Sequence, residues 1–257
     1  MVCLHRVRTP LSAYVDYLWV AEGYVQVHAR ELVLPTGSMT LVVDLDAPTS
    51  DAAAICGARS RPLVLDTSKP LRRMAAHFTP GGGFAFARCP AGELENLQVP
   101  LAAFWPTEAP ELCERIFEAR TNPERFRLLE VFLMRRLRGA PSSSAAVRRA
   151  IRQFQDPHAA CSVRSVTAQV GMSAQRFIEV FRGEVGVPPK VFARLARFRR
   201  AVDRIDMAPD VDWADLAAAT GYFDQSHLIR DFRQFAGLTP AAYVRQRTSQ
   251  NHVRVAD

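Results

Sequence analysis

Two short stretches of the chain carry polar side chains that could form paired hydrogen bonds with the edges of nucleic-acid bases. The first stretch contributes Gln175, Arg176 and Glu179 beside the small residue Ala174, and the second contributes Gln225, Ser226, His227 and Arg230. Arginine can donate to O6 and N7 of guanine, and glutamine can bond N6 and N7 of adenine. Further along each stretch, Arg182 and Arg233 could add contacts to phosphate. The chemistry that these residue types suggest is recognition of duplex DNA, with His227 open to either a base or a phosphate contact.

Both stretches belong to an internal repeat with a period of about fifty residues. The segment from Val170 to Ala193 aligns with the segment from Thr220 to Val244. The matched positions are Gly171 with Gly221, Phe181-Arg182 with Phe232-Arg233, Gly186 with Gly237, Pro189 with Pro240, and Phe192 with Tyr243. The spacing differs only by one extra residue between the first glycine and the phenylalanine of the second copy. One supersecondary unit is therefore used twice.

Each copy has the pattern of two helices joined by a tight corner. Apolar residues three and four apart indicate one face of a first helix. In the first copy they are Val163, Val166 and Val170. Gly171 and Gly221 follow, and glycine readily adopts the positive φ of a sharp corner. Ser173 and Asp224 are suitable N-caps for a second helix, so each copy predicts a helix-turn-helix unit.

The residues of the second copy also match a known family. The sequence GYFDQSHLIRDFRQFAGLTPAAY closely resembles the C-terminal signature of the AraC/XylS transcription regulators, and the match covers roughly Ser144 to Gln246. The resemblance implies a DNA-binding domain of about seven helices, including a joining helix over Val191 to Ile205. It also implies that two recognition helices enter successive turns of the major groove, one turn being roughly 34 Å of duplex.

Glu179 departs from the family pattern, because many members carry arginine there and the second copy carries Arg230. A glutamate could accept a hydrogen bond from N4 of cytosine. It could instead form an ion pair with Arg176 or Arg182, which is the interpretation we favour. Lys190 and the arginines between Arg194 and Arg200 are further candidates for phosphate contact, although Arg197 to Arg200 could be a solvated helix face.

The first hundred residues have the pattern of short strands separated by Pro, Gly, Ser and Asp. The predicted strands are Tyr14–Val20, Tyr24–His28, Glu31–Leu34, Met39–Leu45, Leu63–Asp66 and Arg73–Phe78. Two stretches, LPTGSMTLVVDL from Leu34 and HFTPGGGFAFARCPAGELEN from His77, resemble the cupin-like first domain of many AraC/XylS regulators, and a short helix is expected from Ala91. That resemblance covers roughly Pro10 to Trp105 and implies a β-barrel or sandwich.

Residues Glu108 to Arg138 predict two helices that are split near Asn122-Pro123. Their apolar stripes could mediate dimerisation or pack within the same domain, and both interpretations stay open. The small, helix-breaking stretch from Gly139 to Ser144 predicts a flexible linker. The expected fold class is therefore α+β with two domains. Residues 1–140 form a cupin-like domain with flanking helices, and residues 141–257 form an all-α domain with two helix-turn-helix units.

The balance of basic and acidic residues also changes near residue 141. From Pro141 onward there are 17 Lys and Arg against 11 Asp and Glu, whereas the preceding residues hold 16 against 15. A basic half beside a neutral half favours one nucleic-acid module and one module with another task. The five cysteines are scattered and odd in number, with no CxxC pair and no signal pattern at the start, which favours reduced thiols in the cytoplasm. No apolar run is long enough to predict a membrane helix.

The leading hypothesis is a sequence-specific transcription regulator whose first domain binds a small effector. The rival is an enzyme or metal-binding cupin-like domain fused to a DNA-targeting module. We expect no enzyme activity, no cofactor and no metal, because His5, His28 and His77 are far apart and no common catalytic motif occurs. The expected partner is promoter or operator DNA. RNA polymerase, an unidentified effector and a second copy of the chain are further possible partners.

Overall fold

A computed structural model describes residues 2–24, 29–47, 51–156, 163–207, 211–249 and 252–254. Within these residues the order of elements changes from strands to helices near residue 80. The predicted strand Tyr24–His28 lies outside the described residues apart from its first position, which ends an earlier strand. The two predicted regions, one rich in strands and one helical, are confirmed.

The first half is built on antiparallel strands. Their bounds are β1 (Val2–His5), β2 (Val15–Tyr24), β3 (Arg30–Val33), β4 (Thr40–Asp44), β5 (Ala53–Cys56), β6 (Leu63–Asp66), β7 (Leu71–Phe78) and β8 (Gln98–Pro100). Six of them form one sheet in the order β1-β2-β7-β4-β5-β8, and β3 pairs with β6 in a second sheet. Side chains alternate between buried and partly exposed along β4, so the first sheet covers a core on one face.

Five of the six predicted strands are confirmed with shifts of a few residues, and three described strands of this half, β1, β5 and β8, were missed. The missed strand β5 reads Ala-Ala-Ile-Cys, which has weak intrinsic strand propensity but is held between β4 and β8. β8 ends in Pro100, which suits a strand at the edge of a sheet. Long-range pairing rather than local sequence therefore makes these segments extended.

Three helices of the first half come after β7: α1 (Phe84–Ala87) precedes β8, and α2 (Glu108–Glu118) and α3 (Asn122–Leu137) follow it. The predicted break between α2 and α3 is confirmed, and Thr121 caps α3 by accepting a hydrogen bond from the backbone N–H of Glu124. The helix expected from Ala91 is a single 3₁₀ turn, Ala91–Leu94. α1, which directly follows the three glycines, was not predicted.

The second half contains seven helices among the described residues, as the family resemblance implies. They are α4 (Ala145–Gln155), α5 (Val163–Val170), α6 (Ala174–Val185), α7 (Pro189–Met207), α8 (Trp213–Ala219), α9 (Gln225–Ala236) and α10 (Pro240–Gln246). The joining helix α7 extends two residues beyond the prediction at each end. α7 begins at Pro189. Proline has no backbone N–H, but the first turn of a helix offers that group no partner, so proline is well suited to this position.

The all-α expectation for residues 141–257 needs one correction. Strands β9 (Arg247–Ser249) and β10 (His252–Arg254) follow α10, and β10 pairs antiparallel with β3 of the first half. The register places Val253 opposite Leu32, and the side chain of Val253 is fully buried. The edge of the β3–β6 pair offers free backbone donors and acceptors, which β10 satisfies.

Apolar packing crosses the predicted linker. One continuous core joins the six-stranded sheet to α3, α4 and the inner face of α6, including Phe177 and Phe181. A second core lies between α7, α8, α9 and α10, and it includes Leu34 from the first half. The first helix-turn-helix unit therefore shares the large core of the strand-rich half, whereas the second unit packs around a separate core to which that half contributes Leu34. The predicted domain boundary at residues 140 and 141 stays a prediction.

Candidate nucleic-acid interface

The second unit consists of α8, a corner at Thr220-Gly221 and α9. Gly221 has a φ of +83°, the conformation that the sequence predicts for this corner. Asp212 caps α8 by accepting hydrogen bonds from Ala214 and Asp215. Asp224 caps α9, because its Oδ1 accepts from the backbone N–H of His227 at 2.7 Å. Both helix starts are therefore fixed by side chains within the unit.

The corner itself is held from three sides. The Thr220 hydroxyl donates to the carbonyl of Leu216 at 2.6 Å, and Arg200 Nη2 donates to the carbonyl of Thr220 at 3.4 Å. Tyr222 is buried and meets the His227 ring edge-on, with centroids 5.1 Å apart. Burial raises the pKa of the Tyr222 hydroxyl, and the nearby Asp231 carboxylate raises it further. The ring therefore stays neutral and acts as an anchor beneath the corner.

The outer face of α9 carries the predicted contact residues. Gln225, Ser226, Arg230 and Arg233 are exposed, and His227 is partly buried because its ring packs on Tyr222. The inner face carries Leu228, Phe232 and Phe235, which are fully buried. Polar and apolar residues thus lie on opposite sides of one helix, which leaves the predicted reading surface free.

An ion pair fixes α9 to the joining helix α7. Arg194 donates from Nε at 3.0 Å and from Nη2 at 2.6 Å to Oδ1 of Asp231. The Asp231 side chain is 1% exposed, whereas that of Arg194 is 22% exposed. The guanidinium also lies over the Phe235 ring, 5.3 Å from its centroid. The orientation of α9 therefore depends on a buried charge and on an aromatic core, where Phe198 and Phe232 meet edge-on at 4.9 Å.

The first unit repeats this arrangement with α5, a corner at Gly171 and α6. Gly171 has a φ of +67°, and Ser173 caps α6 by accepting a hydrogen bond from the N–H of Arg176. The predicted contact residues Ala174, Gln175, Arg176 and Glu179 are all exposed. The two units therefore present corresponding helix starts to solvent.

Arg176 and Glu179 form the ion pair that we favoured over a base contact. Arg176 Nη1 lies 2.8 Å from Glu179 Oε2, and the two side chains are 62% and 69% exposed. The pairing neutralises one positive charge on the face of α6. The equivalent face of α9 carries Arg230 without an acidic residue one turn before it.

The far end of α6 docks on the strand-rich half. Arg182 Nη2 donates to the carbonyl of Gly92 at 3.4 Å and lies 3.7 Å from Glu95 Oε2. Glu184 accepts a hydrogen bond from the N–H of Ser144 at 2.7 Å. At Gly186 a Cβ atom would lie 2.8 Å from the Cβ of Ala58, so the two halves approach at van der Waals distance. Arg182 is thus engaged within the protein, although its side chain remains 53% exposed.

The arginines of α7 are largely structural. Arg200 Nη1 donates to the carbonyls of Phe154 and Gln155, both at 3.2 Å, so Arg200 links the end of α4 to the corner of the second unit. Burial lowers the pKa of Arg200, and the charge of Arg197 adds to this effect. Arg197 lies over the Tyr222 ring at 5.5 Å. The solvated-face interpretation of Arg197 to Arg200 is therefore wrong for these two residues.

A groove of about 710 Å³ lies between α7 and α9. Its polar lining is formed mainly by basic side chains, namely Lys190, Arg194, Arg197, His227 and Arg230, together with Asp231 and Gln234. Because α7 has 19 residues, it spans about 28 Å at a rise of 1.5 Å per residue. Of the predicted phosphate contacts, Lys190 is exposed at this groove, beside the face of α9.

The described residues contain neither a metal-binding cluster nor a membrane-spanning helix. No group of three or more His, Cys, Asp and Glu residues there could hold a metal ion. Among the helices that the structure describes, none is long and apolar enough to cross a membrane.

Comparison with known families assigns the helical half. Residues 166–246 match a family described as a helix-turn-helix domain. Residues 166–246 thus carry a helix-turn-helix domain of the AraC type. Residues 6–100 match a domain of unknown function, DUF6597, so the cupin-like resemblance of the first half stays a prediction. No curated protein matches the chain.

Solved structures similar to the chain include a domain of a response regulator and ToxT. The C-terminal domain of AraT, a response regulator from Geobacillus stearothermophilus, is 21% identical and covers 42% of this chain and 90% of that chain, with a TM-score of 0.38. ToxT from Vibrio cholerae O395 is 9% identical and covers 95% of this chain and 96% of that chain, with a TM-score of 0.44. Because these likenesses are weak, we take no function from them and rest the AraC-type assignment on residues 166–246.

Proposed function

We propose that this chain is a sequence-specific transcription regulator that reads two adjacent segments of the DNA major groove with α6 and α9. The observation that carries the proposal is the pair of capped, exposed helix starts at Ala174 and Gln225, which lie in tandem AraC-type units. A recognition helix contacts base edges with its first residues, and these are the residues left free here.

Within this proposal the exposed polar residues of α9 and the neighbouring Lys190 of α7 have two different tasks. Gln225 and Arg230 are the candidates for base contact, since each can form a paired hydrogen bond with one base. Arg233 and Lys190, together with His227, are candidates for phosphate contact, which adds affinity without selecting a sequence. In α6 the corresponding base-reading candidates are Gln175 and Arg176.

The test begins with selection of bound duplexes from a random-sequence library by the full chain. Arg230→Ala should then weaken binding to the selected duplex by about 1–3 kcal/mol and relax one base position, while binding to random duplex changes little. Arg127→Ala removes the same charge from an exposed site on α3 and serves as the control. Equal weakening on selected and random duplex would make Arg230 a phosphate contact. Failure of the library to enrich any sequence would contradict the proposal itself.

The strand-rich half has a regulatory task in this proposal. It contacts the first unit through Gly92 and Glu95 at Arg182, and it contacts the second unit through β10 on β3. A ligand or partner that binds more tightly to one arrangement of the halves would shift the population of the other. A small effector, a second copy of the chain and RNA polymerase are the proposed partners, with the cytoplasm as the proposed location.

The contact at Arg182 gives this regulatory proposal its own test. Glu95→Gln removes the acidic partner of Arg182, whereas Glu93→Gln removes an exposed charge from the same 3₁₀ turn. A partly exposed pair contributes at most about 1 kcal/mol. We therefore expect Glu95→Gln to raise affinity for the selected duplex by up to about fivefold and Glu93→Gln to leave it unchanged. Equal affinities of both variants and the native chain would show that this contact does not restrain α6.

A further inference from the structure

Phe223 is the most exposed large apolar side chain in the part of the chain that the structure describes. It is 94% exposed and stands immediately before Asp224, the N-cap of α9. Transfer of a phenylalanine ring from water to an apolar environment is favourable, and the exposed Phe223 ring does not gain this free energy. The proposed contacts of Gln225 and Arg230 do not explain why an apolar ring occupies this place.

The one-residue difference between the two repeats accounts for the position of the ring. In the first unit only Met172 separates Gly171 from its N-cap, and Met172 packs against the first core. In the second unit Tyr222 is the residue that packs inward, into the second core. Phe223 is therefore the added residue of the longer corner, and its side chain is directed to solvent.

The backbone on both sides of Phe223 is fixed. Tyr222 is 5% exposed and anchors the preceding position in the core. Asp224 caps α9 through its 2.7 Å bond to His227 and fixes the following position. The ring is consequently held at the start of α9, next in sequence to Gln225, rather than on a loose loop.

The neighbours of the ring indicate what it contacts. Asp224, Gln225 and Ser226 are exposed polar residues, so Phe223 is a single apolar ring in a polar surface. Protein partners usually bury a contiguous apolar patch, which this corner does not offer. The major groove does offer isolated apolar groups, because each thymine presents a C5-methyl group there.

We propose that Phe223 packs against the C5-methyl group of a thymine beside the base read by Gln225, and thereby selects thymine at that position. The inference rests on the proposed function, since it requires α9 to enter the major groove. It adds an apolar contact to the hydrogen-bonding residues that the sequence motif identifies.

Uracil tests the contact without changing any hydrogen bond, because uracil differs from thymine only by the absent methyl group. Each thymine of the selected duplex is replaced in turn by uracil, and the affinities of the native chain, Phe223→Ala and Phe223→Leu are measured. The native chain should lose about fourfold at one position, the value of one buried methyl group. Phe223→Ala should bind more weakly than the native chain and show no further loss on that uracil duplex. Phe223→Leu should keep part of the discrimination.

Met207→Ala is the matched control, since Met207 is 87% exposed at the end of α7. Met207→Ala should retain the native response to uracil. The thermal unfolding of Met207→Ala and of Phe223→Ala should match that of the native chain. A native chain that is indifferent to every thymine-to-uracil change would overturn the inference. Normal DNA binding by Phe223→Ala combined with loss of transcription would also overturn it and would assign the ring to a protein partner.

Failure of this inference can be told apart from failure of the proposed function. If Arg230→Ala loses selective binding while Phe223→Ala behaves as the native chain on uracil duplexes, α9 reads DNA and only the methyl contact is wrong. If the native chain enriches no sequence, the proposed function fails, and the methyl contact is overturned with it because it requires α9 in the major groove.

Discussion

The buried carboxylate of Asp231 gives the sharpest prediction about the geometry of α9. Substitution by alanine removes the only anionic partner that Arg194 has among the described residues. The Arg194 side chain is 22% exposed and would keep its contact with Gln234. The substitution would therefore leave a mostly desolvated positive charge between α7 and α9.

The expected loss follows from this burial. Removing one partner of a buried ion pair costs about 3–5 kcal/mol. Partial solvent access of Arg194 favours the lower end, so we expect Asp231→Ala to reduce the free energy of unfolding by about 3 kcal/mol. Asp231→Asn keeps an acceptor oxygen but loses the charge, and we expect a smaller loss of about 1–2 kcal/mol.

Urea unfolding followed by far-ultraviolet circular dichroism measures these losses. Asp203→Ala is the matched control, because Asp203 also pairs with an arginine of α7 but its side chain is 62% exposed. An exposed pair contributes less than about 1 kcal/mol. In the double variant with Arg194→Ala, the losses should be less than additive by at least about 1 kcal/mol, since the two residues interact directly.

A loss below about 1 kcal/mol for Asp231→Ala, or strict additivity with Arg194→Ala, would refute the reasoning. Either result would mean that the pair does not hold α9 against α7. The orientation of the reading face would then depend on the aromatic contacts alone.

Three further predictions concern the core, pH and the face of α6. Phe232→Ala should destabilise the second unit by about 3–5 kcal/mol, because it empties a fully buried aromatic site, and chemical unfolding measures the loss. His77 has a pKa lowered to about 4 by burial and by the positive charge of Arg199. In the unfolded chain the His77 ring binds a proton near pH 6.5. The free energy of unfolding should therefore fall as the pH is lowered from about 6.5 to about 4, by up to about 1.4 kcal/mol per pH unit from this group. The measured slope is compared with that of His77→Gln. Glu179→Ala should change stability by less than about 0.5 kcal/mol and leave affinity for the selected duplex equal or higher, because it frees Arg176 and removes an anion from the DNA-facing surface.

A different experimental result would contradict each of these three predictions. A native melting curve for Phe232→Ala would show that the ring is not part of the core. An equal pH slope in His77→Gln would assign the loss to other groups. A loss of about 1–3 kcal/mol confined to duplexes with cytosine at one position would show that Glu179 reads a base, which is the interpretation that we did not favour.

Local sequence predicted the helical half well because its determinants are local. The bounds of α5 match the apolar periodicity from Val163 to Val170, and the corners at Gly171 and Gly221 have the positive φ that their glycines indicate. Ser173 and Asp224 cap α6 and α9 as their residue types suggest. Each of these features depends on residues within one or two turns of the chain.

Features that depend on distant residues could not be predicted in this way. β5 and β10 are extended because β4 and β3 offer them pairing edges. The residue type and position of Arg182 suggest a phosphate contact. In the structure, however, Arg182 contacts Gly92 of the 3₁₀ turn Ala91–Leu94 and the following Glu95. Arg200 likewise serves the fold, through backbone carbonyls of α4 that its neighbours in sequence do not reveal.

The site residue Phe223 shows both limits together. The extra residue of the second repeat was visible in the sequence, but sequence alone does not say whether Tyr222 or Phe223 packs inward. The structure assigns Tyr222 to the core and leaves Phe223 in solvent. An insertion in a tandem repeat is thus a usable signal for a residue whose surroundings differ between the two copies.

The central claim is that two tandem units read adjacent turns on one face of a duplex, and methylation interference on the selected duplex measures this directly. The account predicts two clusters of guanines whose N7 methylation blocks binding, centred about one helical turn, or 10–10.5 base pairs, apart. Arg230→Ala should abolish interference in one cluster, and Gln175→Ala combined with Arg176→Ala should weaken binding through the other. A single cluster, or two clusters on opposite faces of the duplex, would contradict the account.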